Sequence, residues 1–238
     1  MSCITIIETG LVSEGARSRY GSFPQMFERM IRAADASIQF DVVSIINGEQ
    51  LPDPGTLQAI LVTGSSAGVY DRLDWIAPLE GFVRAAYANQ IPMVGVCFGH
   101  QLMAQALGGT VRKSEKGWGI GRHVYEIAPG NGVIEGERIA IAASHQDQVI
   151  EPPPGARTIL FSPFTEHAGL LYGNGMALSV QPHPEFETGF AHLCCDIRKG
   201  HAPDAVVAQA KTSLVEPVDN ARLGGAITRF LRRGTRAF

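Results

Sequence analysis

The chain has 238 residues, of which 45% are hydrophobic and 18% charged, so it carries enough apolar material for one large α/β core. A formal net charge of −3 argues against nucleic acid or an anionic membrane surface as partner, because either needs a clustered basic face. No apolar run approaches the ~18 residues needed to span a bilayer, and the opening MSCITIIE lacks the basic stretch of a signal peptide.

Residues 3–8 (CITIIE) and 38–45 (IQFDVVSI) are rich in β-branched side chains and read as strands. Between them Phe23, Met26, Phe27, Met30 and Ile31 recur at helical spacing, which predicts a helix from Ser22, a suitable N-cap, to about Asp35. A third apolar run at 58–63 leads into the glycine-containing loop Gly64–Gly68. A helix over roughly Leu73 to Asn89 and a strand over Ile91–Val96 follow. This alternation predicts a parallel sheet covered by helices on both faces.

The pattern then changes. Residues 122–128, 138–143, 157–161, 168–172 and 176–181 are short strand candidates with little helix between them, consistent with antiparallel additions to the sheet. From Phe186 the pattern is helical, with breaks near Gly200 and Pro217. The dense basic cluster from Arg229 to Arg236 reads as the solvated end of a terminal helix. No repeat or linker divides the chain, so a single domain over 1–238 is expected.

The four cysteines, Cys3, Cys97, Cys194 and Cys195, show neither a CxxC pair nor zinc-ligand spacing. No metal and no cofactor is expected, and a reduced, cytoplasmic setting is the natural inference. Cys194 and Cys195 read as helix residues. Cys97 differs: it lies where the strand pattern ending at Val96 gives way to the helical spacing of Phe98, Leu102 and Met103, with Gly95 and Gly99 on either side. G-x-C-x-G follows the logic of the nucleophile elbow, in which a tight strand-to-helix turn lifts the nucleophile above the sheet. The helix N-terminus it faces favours a thiolate. The alternative is a packed cysteine beside two glycines.

A thiol nucleophile needs a base and a group that orients the base. Of seven histidines, His183 stands out in VQPHPEF (Val180–Phe186), directly after a strand and held between two prolines. An extended chain there would put Glu185 on the same side as His183, where its carboxylate could fix the imidazole tautomer. The loop at Gly64 and Ser65 could aim backbone N–H groups at a developing oxyanion, with the Phe98 N–H as a second donor. A phosphate cradle is the competing reading of that loop, but no Gly-Lys-Ser/Thr follows it. His100 reads as a packing residue.

With these motifs in order, the chain resembles the class I (triad) glutamine amidotransferase family over roughly residues 40–190. The likeness rests on GVCFGHQ (Gly95–Gln101), HPE (His183–Glu185), the Gly64–Ser65 loop and ASHQDQV (Ala143–Val149). It implies a three-layer αβα, flavodoxin-like fold with a mostly parallel central sheet and short antiparallel additions. It also implies that Cys97 forms a γ-glutamyl thioester, with His183 as acid and base and Glu185 as its orienting group. Gln101, Ser144, Gln146 and Asp147 map to positions that bind the α-amino and α-carboxylate groups. The His145–Asp147 pair, expected on a loop, is then read as part of the substrate site rather than a metal site. The implied substrate is glutamine or another γ-glutamyl amide, and the implied partner an ammonia-accepting synthase subunit, since the chain has no ATP-binding motif. Ammonia release from glutamine is the preferred expectation. A free-standing γ-glutamyl peptide hydrolase is the alternative, and a catalytically silent binding module is the reading from another class. Residues 187–238 carry no recognised motif.

Overall fold

The computed structural model describes residues 2–235, so Arg236 of the basic cluster lies outside the described residues. The first half alternates strands and helices: β1 (Cys3–Glu8), α1 (Glu14–Tyr20), α2 (Phe23–Ala34), β2 (Gln39–Ser44), β3 (Ile60–Val62), α3 (Ile76–Ala88), β4 (Met93–Val96) and α4 (Phe98–Ala106). Seven strands follow: β5 (Thr110–Lys113), β6 (Gly119–Ile127), β7 (Arg138–His145), β8 (Asp147–Glu151), β9 (Arg157–Phe161), β10 (Gly169–Leu171) and β11 (Ala177–Val180). The helices α5 (Thr188–Ile197), α6 (Asp204–Ser213) and α7 (Asn220–Leu231) end the described chain.

Nine strands form one sheet in the order β2-β1-β3-β4-β11-β10-β9-β6-β7. The first five are mutually parallel, and every pairing from β11 outward to β7 is antiparallel. Strand periodicity divides the parallel half between two faces. Ile4, Ile6, Leu61, Val94 and Val96 join the cluster under α2 and α7, while Ile7, Ile60, Val62 and Met93 join the cluster under α3 and α4. Both faces are therefore apolar, as a helix-covered parallel sheet requires. A third cluster packs α5 and α6 against β6 and β7 through Phe190, Val207 and Ile120. The result is the expected three-layer αβα arrangement with antiparallel additions.

Ser22 caps α2 as expected: its hydroxyl accepts the Gln25 N–H, and the Gln25 side chain accepts the Ser22 N–H, a reciprocal capping box. Three features depart from expectation. The short, largely exposed helix α1 carries little apolar periodicity and was not anticipated. The two-stranded ribbon β5–β8 was also missed, being too short for an alternation signal. Third, Ser144 and His145 lie not on a loop but at the end of β7, paired to Ile120 and Gly119, and Asp147 opens β8. The cause is backbone pairing with the glycine-containing start of β6, which carries the strand past its apolar run.

Candidate active site

Cys97 joins β4 to α4 at the carboxyl end of the parallel strands, where open α/β sheets gather their functional groups. Its backbone sits at φ +54°, ψ −103°, a conformation that L-residues rarely adopt. Hydrogen bonds hold it there: the Cys97 N–H donates to the Val180 carbonyl at 2.9 Å, and the Gln101 N–H to the Cys97 carbonyl at 3.0 Å. The flanking glycines are sterically required. A Cβ on Gly95 would lie 2.4 Å from the Gly99 carbonyl oxygen, and one on Gly99 would lie 2.4 Å from that of Val62. The packed-cysteine reading accounts for the close approach but not for the strained Cys97 backbone. Such strain costs ~1–3 kcal/mol and persists where its surroundings over-determine it.

His183 follows β11, the strand paired with β4, and its N–H is fixed on the Ala142 carbonyl at 2.9 Å. Its Nδ1–H donates to Glu185 Oε1 at 2.7 Å, and both side chains are buried. The route to that contact differs from the extended chain expected. Pro184 and Glu185 form a turn closed by the Phe186 N–H on the His183 carbonyl at 3.3 Å, with the φ of Pro184 suited to its second position. The turn also lays Phe186 parallel to the imidazole, ring centroids 3.9 Å apart. Burial pulls the His183 pKa down, but the Glu185 carboxylate and then the Cys97 thiol outweigh it and raise it to about 10. Glu185 Oε2 has no hydrogen-bond partner among the described residues, so His183 is the carboxylate's partner in the interior.

The loop after β3 meets both groups. A Cβ on Gly64 would lie 3.3 Å from His183 Cε1 and 3.7 Å from Cys97 Cβ. Thr9, just beyond β1, anchors this loop: its hydroxyl donates to the Thr63 carbonyl at 3.0 Å and lies 3.2 Å from the Gly64 carbonyl. In a trans peptide the C=O and the following N–H point opposite ways, so the Ser65 N–H is turned away from Thr9. The Gly99 N–H donates to the Thr63 carbonyl at 3.2 Å, tying this loop to α4. The Phe98 N–H, at the first position of α4, has no intrahelical acceptor.

Two clefts meet at Cys97. One, of about 290 Å³, is lined by Ser65, Gln101, Ser144, Gln146 and Asp147, and it gathers all four residues mapped to the substrate's amino-acid end. Asp147 accepts the Tyr70 hydroxyl at 2.8 Å, and burial together with that bond pushes the Tyr70 pKa up to about 12. The Gln101 amide donates to the Asp147 carbonyl at 2.9 Å and to Gln181 Oε1 at 3.1 Å, making it a strut between α4 and β8. The second cleft, of about 210 Å³, contains His183 and Gly64. Cys97, Ser65, Ser144 and Arg198 line both.

Sequence reasoning missed Thr9, Tyr70 and Arg198. Tyr70 lies two residues beyond the Gly64–Gly68 loop, and only its contact with Asp147 of β8 gives it a role. Arg198, at the end of α5, stacks over Trp118 with Cζ 4.2 Å from the ring centroid, and its buried Nε has no hydrogen-bond partner among the described residues. Nothing in its sequence context announced it. His100 behaves as the packing residue expected, buried with Nδ1 2.7 Å from the Ser179 hydroxyl. Burial pushes the Cys194 thiol, which borders the second cleft, up to about 12. Among the described residues, no three His, Cys, Asp or Glu side chains form a group able to hold a metal ion, and no helix is long and apolar enough to cross a membrane.

Comparison with known proteins gives a family and a fold. Residues 19–192 match the model of the family described as glutamine amidotransferase class-I. A glutamine amidotransferase-like protein of Schizosaccharomyces pombe is 27% identical over 231 residues, covering 90% of this chain and 92% of that protein. Gamma-glutamyl peptidase 2 of Arabidopsis thaliana is 29% identical over 181 residues, covering 73% of this chain and 72% of its own. Among solved structures, a glutamine amidotransferase of Thermotoga maritima superposes with a TM-score of 0.77 over 99% of both chains at 20% identity, a likeness of fold.

Proposed function

The chain belongs to the class-I glutamine amidotransferase family, and from that premise we propose that it hydrolyses the γ-amide bond of γ-glutamyl substrates through a thioester on Cys97. One observation carries the reading. His183 is buried between the Glu185 carboxylate and the Cys97 thiol, and that pairing favours its protonated form despite burial.

The chemistry follows from the positions. With the proton already held on His183, Cys97 Sγ attacks the γ-carbonyl carbon. The oxyanion is met by the Phe98 N–H and the Ser65 N–H of the Gly64 loop, held by Thr9 and costing no reorganisation as charge develops. His183 gives its proton to the leaving nitrogen as the C–N bond breaks, which frees the amine and leaves the thioester. A water then gives its proton to His183 and adds to the carbonyl; the C–S bond breaks, glutamate departs and the thiolate is restored. Glu185 keeps Nδ1–H occupied so that Nε2 faces the reaction.

The substrate's amino-acid end fits the first cleft, with Asp147 toward the α-ammonium, Ser144 and Gln146 as hydrogen-bonding groups and Gln101 bracing the wall. The unsatisfied Arg198 Nε suits the α-carboxylate. The test is a glutamine-like affinity label followed by intact-mass and peptide mapping. Labelling of Cys97 alone, and none in Cys97→Ala, is expected. Labelling of Cys194 or Cys195 instead, or none at all, would overturn the assignment. An ammonia-accepting synthase as partner would show as glutamine hydrolysis that is slow alone and stimulated by that subunit.

A further inference from the structure

The two clefts at Cys97 differ in a way that bears on the leaving group. His183 must reach the departing nitrogen to protonate it, so whatever that nitrogen carries lies on the His183 side. Of the two clefts, only the second includes His183 in its wall. Its apolar walls are Leu11 and Val12 after β1, Phe23 of α2, Phe186 of the His183 turn, and Phe190 and Ile197 of α5. Phe186 and Phe23 each meet Phe190 edge-to-face, at 4.7 and 6.2 Å between centroids, which gives the pocket a rigid floor. Leu11 and Ile197 stand at its rim, each 49% exposed.

Ammonia needs little more room than a water molecule, whose share of liquid volume is ~30 Å³. A cleft of about 210 Å³ with six apolar side chains in its wall, beside Arg198 and four serines, is far larger than that leaving group requires and offers an apolar surface for a carbon side chain. We infer that this cleft is the leaving-amine subsite, and that the substrates are γ-glutamyl amides or peptides of an apolar amine, such as γ-glutamyl conjugates of aliphatic or aromatic amino acids. This rests on the γ-glutamyl hydrolase reading and specifies the half of the substrate that reading left open. The two clefts then divide the substrate at its scissile bond: the zwitterionic glutamyl end against Asp147 and Arg198, the apolar amine against Leu11, Phe190 and Ile197.

The experiment compares kcat/KM of the purified protein for γ-glutamyl-leucine, γ-glutamyl-glycine and glutamine. These share the acyl half, so only the leaving-group subsite separates them. A pocket filled by added methylenes is expected to favour leucine over glycine by at least ~10-fold, one methylene being worth ~10–200-fold in such a site. Leu11→Asn and Ile197→Asn, at half-exposed positions outside the core, should each reduce that ratio severalfold. Equal rates with leucine and glycine, glutamine as the best substrate, or a ratio unmoved by both variants would overturn the inference while leaving the hydrolase reading intact. Failure to cleave any of the three, together with no labelling of Cys97 by the glutamine-like probe, would overturn the hydrolase reading itself.

Discussion

His183 lies about as deep in the protein as His100 and His145, with 3%, 0% and 3% of their surfaces exposed. Burial disfavours the charged imidazolium at all three positions. His100 leans on the Ser179 hydroxyl and His145 on the Asp147 carbonyl, neutral groups that cannot offset the loss of water, and both pKa values fall to about 3. His183 has a carboxylate at 2.7 Å and a thiol beyond it, and its pKa rises to about 10 instead. Depth is therefore not what separates the proposed catalytic histidine from the other two. The partner is. Within one interior the chain keeps two imidazoles neutral and one poised to hold and release a proton.

Removing His183 probes the contrast most severely. His183→Ala should reduce γ-glutamyl amide hydrolysis by about 10⁶-fold, the scale seen when a triad base is deleted elsewhere. It should also destabilise the fold by about 3–5 kcal/mol, because Glu185 is left buried without its partner. The double variant His183→Ala/Glu185→Gln should recover part of that stability and none of the activity. Single-turnover assays and urea unfolding separate the two effects. If His183→Ala unfolds in urea like the wild type, the ion-pair account of this site is wrong.

Glu185→Gln strikes at the partner alone. The amide can still hydrogen-bond the ring, but it neither fixes the tautomer as firmly nor supplies charge, so a loss of about 10³–10⁴-fold in kcat is expected. The variant should also change how stability responds to pH. Because the folded His183 pKa lies above its ordinary 6.5, its contribution is fully present below 6.5 and is lost as pH rises toward about 10. Unfolding free energies measured across that window should decline in the wild type and flatten in Glu185→Gln. An unchanged alkaline limb would mean that Glu185 does not set the charge of His183.

How much of this was legible in the sequence follows the same division. Strand and helix periodicity disclosed the parallel half, because two apolar faces write a strong pattern into CITIIE, QAILVT and PMVGV. Cys97, His183 and Glu185 stood out because Gly95, Gly99, Pro182 and Pro184 mark the backbone around them, and backbone demands are written locally. Thr9, Tyr70 and Arg198 were not legible. Each gains its role from a side chain or carbonyl more than 50 residues away, as with Thr9 on Gly64 and Tyr70 on Asp147, and no local pattern encodes such a meeting. The strand position of Ser144 and His145 was lost in the same way, since pairing with Gly119 and Ile120 decided it. The apolar walls of the second cleft come from three separate stretches of chain, so no local pattern announced that cleft.

The mildest test concerns His100, which the proposed mechanism does not use. His100→Asn keeps a polar group facing Ser179 and removes an imidazole that never needs to charge, so kcat/KM should stay within a few-fold of wild type. Its signature lies on the acid side. With a folded pKa near 3, His100 stays neutral in the native protein while the unfolded chain takes up a proton below 6.5. Stability from this residue is thus present above 6.5 and lost as pH falls, with a limiting slope of about 1.4 kcal/mol per pH unit for one proton. His145 adds a second proton of the same kind. In His100→Asn one of these protons is gone, so the fall in unfolding free energy between about pH 6 and pH 5 should be shallower by roughly that amount, while activity at neutral pH barely moves. A variant with lost turnover and an unaltered acid slope would invert the assignment, making His100 a participant in the reaction rather than a neutral strut beneath it.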